Sequence, residues 1–321
     1  MTTYRNLAFE GAGVRSIAQV GALQGMGAVD GLLDGIRRVA GTSGGSMLAL
    51  GMALRYSPEE IARLMRDLDF GRVQSGWDPI RLATRYGLYD GNYVSEALAS
   101  WIERSPLALS ADATFRELHS ANTEWEEAHR QDARELHVFA ANLNTNGTHR
   151  FSHACTPDIA VREAVRASMS IPLLFEAVEI DGDIYVDGGA MYTYPVTAFD
   201  FDPLPCRTPG TATEDSPESE PDPRTIGFHF APLLEDNDLG WDSPVHFLTE
   251  LIETSHQPSY HTIASTPHIR ERTITIDTGG IKTTKFDLTD AEKRILWFNG
   301  LKATCDFLEI GVPSGATWPS D

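Results

Sequence analysis

Ser43 stands at the centre of Gly41-Thr42-Ser43-Gly44-Gly45, a G-x-S-x-G pentad. In that pattern a strand ends, the serine takes a strained turn and a helix leaves at once, which holds the hydroxyl where a substrate can reach it. Glycines two residues either side matter because a Cβ there would collide with the crossing strand and helix. Val39-Ala40 supplies the apolar approach and Met47-Leu48-Ala49-Leu50 the helix-forming exit. The first amides of that helix would favour negative charge developing near the serine. Taken alone, the pentad also fits an ordinary strand-to-helix turn, so its meaning depends on what converges on it.

Two further stretches could converge. Leu7-Ala8-Phe9 ends a short apolar strand, and Glu10-Gly11-Ala12-Gly13-Val14-Arg15-Ser16 follows as a glycine-rich turn. Such a turn between strand and helix presents several backbone N–H groups that can bind a phosphate or an oxyanion. Gly11-x-Gly13-x-x-Ser16 is near the dinucleotide fingerprint, with Asp34 in the place of a ribose-binding acid. That fit is poor, because Asp34 precedes the second strand and the pentad serine occupies the end of it. The alternative, an oxyanion hole for Ser43, uses both motifs together. Far downstream, Ile184-Tyr185-Val186 reads as a strand that delivers Asp187-Gly188-Gly189 to a sheet end. Asp-Gly-Gly is commonly just a turn, yet a carboxylate at a strand end is also where α/β enzymes keep catalytic groups.

The elements that must position these residues alternate. Ile17 to Leu23 reads as helix, with Gly21 and Gly25 on one face for close approach to a neighbour. Ser57-Pro58-Glu59-Glu60 is a capping box opening a helix to about Asp67. Residues 70 to 90 carry Trp77, Ile80, Leu82, Tyr86 and Leu88 with weak periodicity and read as an irregular connection, with a lid or interfacial segment as the lesser reading. Helices are predicted over 93–102 and 115–120, a buried strand over 136–141, a hairpin turn at 145–148 with 150–152 pairing back, and a helix from Thr156-Pro157 through Val165. Strands at 178–180, 225–230 and 273–276 and helices over 245–254 and 289–308 complete the series. Alternation of this kind predicts an α/β fold with a mainly parallel central sheet flanked by helices on both faces. A single domain over residues 1–321 is expected, interrupted at about 203–223 by an exposed insertion with six prolines and five acids.

Composition bounds the function. The 321 residues can bury a full core, and 41% hydrophobic content is ordinary for a globular protein. A net charge of -20 argues against nucleic acid and against electrostatic attraction to anionic membrane, so a lipid-contacting surface would have to be locally apolar or basic. No apolar run is long enough to cross a bilayer, and the amino terminus lacks a signal-peptide pattern, which predicts a cytoplasmic protein, at most peripheral at membranes. Cys155, Cys206 and Cys305 are scattered and odd in number, suggesting no disulfide framework and a reducing compartment. His153 and Cys155 lack zinc-site partners, and no metal is expected.

The turn Glu10 to Ser16, the pentad Gly41 to Gly45, and the run Ala167 to Val196 containing Ser168-Met169-Ser170-Ile171-Pro172 and Asp187-Gly188-Gly189 together resemble the patatin-like phospholipase family. The resemblance extends from Leu7 to about Leu308 and implies a three-layer sandwich and a serine acyl hydrolase with a Ser–Asp dyad. It makes Ser43 the nucleophile, Asp187 the base, and the amides of Gly11, Ala12 and Gly13 the oxyanion hole. It also implies action on fatty-acyl esters of phospholipids or lysophospholipids at a membrane or micelle surface, with no cofactor and no catalytic calcium. The chain departs from the family's G-G-G-x-R-G at Ala12 and Ser16, and a central alanine is tolerable only at negative φ. Tyr192-Thr193 replace frequent asparagines, which bears on substrate preference. Arg15 either ties down the loop or steers a lipid phosphate, the former having more weight, while Tyr192 and Tyr194 either line the acyl cleft or pack beneath the loop. Two rivals remain at this stage: a Ser-His-acid triad esterase using one of ten histidines, and a non-catalytic lipid-binding or scaffold module.

Overall fold

A computed structural model describes residues 4–74, 76–200, 206–209, 221–232 and 265–319, with positions 250, 254 and 263. Most of the predicted insertion at 203–223 and of the helix expected over 245–254 lies outside the described residues.

Each strand that carries the core is short and apolar. Strands β1 (Asn6–Phe9), β2 (Arg38–Thr42), β3 (Gly87–Tyr89), β4 (Glu135–Asn142), β5 (Gly147–Phe151), β6 (Leu173–Phe175), β7 (Val178–Ile180), β8 (Asp183–Asp187), β9 (Arg207–Pro209), β10 (Thr225–Phe230) and β11 (Thr273–Ile276) form two sheets. In the main sheet the order is β11-β10-β1-β2-β4-β5-β9, and the strands from β11 to β4 are parallel. The pairs of β5, β7, β8 and β9 are antiparallel. β3 and β6 pair in parallel as a separate two-stranded sheet. The fold is therefore mixed but mostly parallel, as expected, and all positions of β1 and β10 are buried.

Helices α1 (Ser16–Gly27), α2 (Gly44–Ala53), α3 (Pro58–Asp67), α4 (Phe70–Val73), α5 (Pro79–Arg85), α6 (Asn92–Glu103), α7 (Phe115–His129), α8 (Val161–Ser168), α9 (Pro267–Arg270) and α10 (Asp290–Phe307) flank it. α1 meets α10 backbone to backbone: a Cβ on Gly21 would lie 1.9 Å from the Trp297 carbonyl oxygen, and one on Gly300 1.7 Å from that of Ala18. The contact needs glycine on both sides. Ser57 and Glu60 close the expected capping box of α3.

Several expectations need correction. α8 begins at Val161, because Thr156 turns its hydroxyl back to the Ser152 carbonyl instead of capping a helix. α7 runs on to His129, well past the predicted end. Residues 70–90 are less irregular than expected, holding α4, α5 and β3. Cys155 and Cys206 form a disulfide, leaving Cys305 as the free, buried cysteine. An odd count concealed one pair, and the cysteines give no support to a reducing compartment. That bond and the pairing of β9 with β5 fasten part of the predicted insertion to the sheet. Among the described residues, no helix is long and apolar enough to cross a membrane.

Candidate active site

Strand register brings the site together. β2 runs along the first half of β4, with Thr42 opposite Phe139. β8 runs antiparallel along the second half of β4, with Asp187 opposite Ala140. The two strands therefore abut end to end on the same edge of β4, and Ser43 and Asp187, 144 residues apart in sequence, meet at the junction. The Ser43 hydroxyl donates to Asp187 Oδ2 at 2.5 Å.

The serine sits at φ 50°, ψ -131°, immediately before α2. A non-glycine residue in that region is strained, and such strain is stable only where the surroundings over-determine it. Here they do. A Cβ on Gly41 would lie 2.4 Å from the Gly45 carbonyl oxygen, and one on Gly45 2.5 Å from the carbonyl oxygens of Phe9 and Glu10. The Ser43 N–H donates to Ser168 Oγ at 2.8 Å, and the Ser168 hydroxyl donates to the Phe139 carbonyl at 2.6 Å, tying the turn to β4.

Asp187 is held with equal firmness. Its N–H donates to the Ser170 carbonyl at 2.8 Å, and its Oδ1 accepts the Gly189 N–H at 2.7 Å. The side chain is 4% exposed, and burial pushes its pKa up to about 7 against the lowering pull of the Ser43 and Gly189 hydrogen bonds. No histidine contributes to that balance. Among the described residues, no group of three or more potential metal ligands is arranged around an ion site.

The glycine-rich turn packs directly on the serine, since a Cβ on Gly11 would come within 3.1 Å of Ser43 Cβ. Gly11 itself departs from the expected role. Its N–H donates to the Thr193 carbonyl at 2.9 Å and so is already engaged. The Val14 N–H likewise goes to the Thr283 carbonyl at 3.1 Å. Between these anchors lie the Ala12 and Gly13 N–H groups, for which no acceptor is found among the described residues. Ala12 adopts φ -153°, so its Cβ is unstrained, whereas Gly13 takes φ 51° with its Cα against the Thr283 carbonyl. Below the turn, the Phe230 N–H donates to buried Glu10 at 2.7 Å and Gln19 to the Glu10 carbonyl at 3.0 Å.

Three other predicted residues sit away from the opening. Arg15 is buried, with its guanidinium 5.2 Å from the Phe230 ring centroid, which suits bracing of the turn and not phosphate steering. Tyr192 packs edge-on to Phe139 and bonds Thr197 through its hydroxyl at 2.8 Å. Tyr194 lies under the sheet, with its hydroxyl 3.0 Å from Thr273 Oγ1. Neither tyrosine lines the cleft that opens beside Ser43, and of the two positions the sequence allowed both take the packed one rather than the substrate-binding one.

That cleft is walled by Met47, Leu68, Phe70, Val94, Phe175 and Phe286. Its charged member is Arg166, whose guanidinium bonds the Ser170 hydroxyl at 2.5 Å and the Asp90 carbonyl at 3.0 Å. Arg166, Ser168 and Ser170 thus brace both halves of the Ser43–Asp187 pair from the end of α8. Ser168 and Ser170 stand in the Ser168-Met169-Ser170-Ile171-Pro172 run, whose sequence alone gives them no role. Nothing in a serine-rich helix end says that a strand carbonyl and an elbow amide lie within reach of it.

A family model described as "Patatin-like phospholipase" matches residues 7–200. "Uncharacterized protein R571" of Acanthamoeba polyphaga mimivirus is 29% identical over 310 residues, covering 93% of this chain and 92% of that protein. "Probable lipid hydrolase 463L" of Invertebrate iridescent virus 6 is 23% identical over 194 residues, covering 60% of this chain and 62% of that one. Among solved structures, VipD from Legionella pneumophila superposes with a TM-score of 0.58 at 16% identity, over 95% of this chain and 67% of VipD, a likeness of fold.

Proposed function

The chain belongs to the patatin-like phospholipase family, and from that premise we propose that it is a lipid acyl hydrolase working through Ser43 and Asp187. The observation that carries the reading is the 2.5 Å hydrogen bond from the Ser43 hydroxyl to a buried carboxylate at the foot of an apolar cleft. A serine hydroxyl is a weak nucleophile until a positioned base takes its proton. An ordinary aspartate is too weak a base for that at neutral pH, but a carboxyl raised to about 7 is matched to the task.

An acyl chain enters the apolar cleft and presents its ester carbonyl above Ser43. Ser43 Oγ attacks the carbonyl carbon as its proton passes to Asp187 Oδ2. Negative charge gathers on the former carbonyl oxygen, where the Ala12 and Gly13 N–H groups are the donors, each worth about 3–4 kcal/mol of barrier in comparable sites. Collapse of the tetrahedral species expels the alcohol of the lysolipid or glycerol ester, which takes the proton back from Asp187. Water then attacks the acyl-Ser43 ester as Asp187 takes its proton, and the acyl–Oγ bond breaks as Asp187 returns that proton to Ser43 Oγ, releasing the fatty acid.

The triad reading has less support, because the serine hydroxyl goes to a carboxylate and no histidine influences that carboxylate. A purely binding module gives no reason for a strained serine held against two potential oxyanion donors. The test is product analysis on a mixed lipid extract. Parent protein is expected to release fatty acid from phospholipid or lysophospholipid, and Ser43→Ala and Asp187→Asn to lose at least about a hundredfold in rate while remaining folded. Undiminished release by either variant would reject the dyad.

A further inference from the structure

The segment between α4 and α6 is turned inside out. None of the residues of α5 is buried. Its Arg81 faces the protein, with Nε 2.7 Å from Glu176 Oε1 and a guanidinium nitrogen 3.7 Å from Asp90. The apolar residues of α5 and its flanks are exposed instead: Ile80 is 72% exposed and Leu82 also exposed within the helix, with Trp77 before it and Tyr86 after it each 62% exposed. A helix on a globular protein ordinarily does the reverse, and a contiguous exposed apolar face marks a binding surface. The face continues across the small sheet, because Gly87 pairs with Leu173, itself 48% exposed. Tyr86 and Leu173 are both held at positive φ, 62° and 65°, an unfavourable conformation for bulky side chains.

The ends of this segment lead into the cleft. Phe70 and Val73 on one side of it, Gly91 and Val94 on the other, and Phe175 two residues after Leu173 all line the cavity beside Ser43. The exposed stretch is thus bounded at both ends by residues that wall the cleft. Its loop is closed by the Asp78 N–H donating to the Leu88 carbonyl at 3.0 Å, so the face is a built feature and not a loose end.

We propose that the outward face of residues 77–86, continued by Leu173, seats the protein on a zwitterionic lipid bilayer and so presents membrane lipid to the cleft. Resting on the acyl hydrolase reading for its substrate, the inference adds the surface by which that substrate is met. Tryptophan and tyrosine suit the boundary between headgroups and acyl chains, where an amphipathic ring meets both environments. Charge selects the kind of bilayer. Arg81 is paired internally, and a chain of net charge -20 is repelled by an anionic surface. Apolar insertion into a neutral headgroup layer is what remains.

The test uses full-length protein with Ser43→Ala, so that no product accumulates, and phosphatidylcholine vesicles in a sedimentation assay. Trp77→Ser with Ile80→Ser is expected to lower partitioning at least about tenfold, as loss of two interfacial apolar side chains requires. Phe298→Ser, which removes an exposed apolar ring on α10, serves as control and should leave binding unchanged. In the Ser43 background the same pair should depress turnover of vesicle lipid while leaving hydrolysis of a monomeric short-chain ester within about twofold. The proposal is overturned if the parent does not bind these vesicles, if it binds anionic ones only, or if the double variant and the Phe298 control behave alike. Absence of ester cleavage in every variant would instead defeat the acyl hydrolase reading and leave the binding result standing.

Discussion

At the scale of single residues, Asp187 is tuned at the expense of stability. Its pKa in the folded chain, about 7, lies above the 3.8 of the exposed group because burial penalises the charged form. The folded state therefore retains a proton that the unfolded chain has lost between about pH 4 and 7. The resulting stabilisation is complete below about pH 4 and is gone once pH has risen through about 7. A shift of this size corresponds to roughly 4 kcal/mol as an upper bound. Asp187→Asn is neutral at every pH and lacks this dependence. Chemical denaturation of the two proteins should show the variant gaining on the parent by up to roughly 3 kcal/mol between pH 4.5 and pH 8, the part of that span the window covers. A stability difference that stays flat over the same range would mean that Asp187 is not buried as a near-neutral acid.

At the scale of elements, the site depends on pieces that are not themselves catalytic. Ser168 at the end of α8 accepts the Ser43 amide and Ser170, two residues on, accepts the Asp187 amide, so a shift of that helix end would disturb both partners at once. On the far edge of the sheet, β5 is joined to β9, and the disulfide from Cys155 to Cys206 closes a separation of 51 residues. A cross-link of that span is worth at most about 4 kcal/mol in a chain-entropy account. Thiol titration of the protein denatured without reductant should find one reactive thiol, that of Cys305. Three thiols would show that the pair is not bonded and would restore the reading of a reducing compartment.

At the scale of the molecule, much of the fold was legible because periodicity and capping are local signals. The Ser57–Glu60 box and the strand at 225–230 emerged near their observed limits, and Gly21 proved to mark a close helix contact. What the sequence hid was pairing across distance. Thr156-Pro157 has the local chemistry of a helix start and is overruled by a turn that leads into α8. The sequence leaves Tyr192 and Tyr194 either at the cleft or packed beneath the loop, and only contacts with Phe139, Thr197 and Thr273 from other elements decide for packing. The family resemblance makes Gly11 an oxyanion donor, and the Thr193 carbonyl that takes its N–H comes from a distant stretch that no local signal reveals. The inverted polarity of α5 was invisible for the same reason, since the partners of Arg81 lie at Asp90 and Glu176.

The central claim is one of register: β2 and β8 end against each other on β4, and a serine and a carboxylate 144 residues apart become one chemical unit. Labelling by a fluorophosphonate, followed by intact-protein mass and peptide mapping, reads that unit directly. One adduct on Ser43 is expected, forming faster as pH rises through about 7 and slowed at least about a hundredfold by Asp187→Asn. Equal labelling of parent and Asp187→Asn at all pH values, or an adduct on another residue, would contradict it.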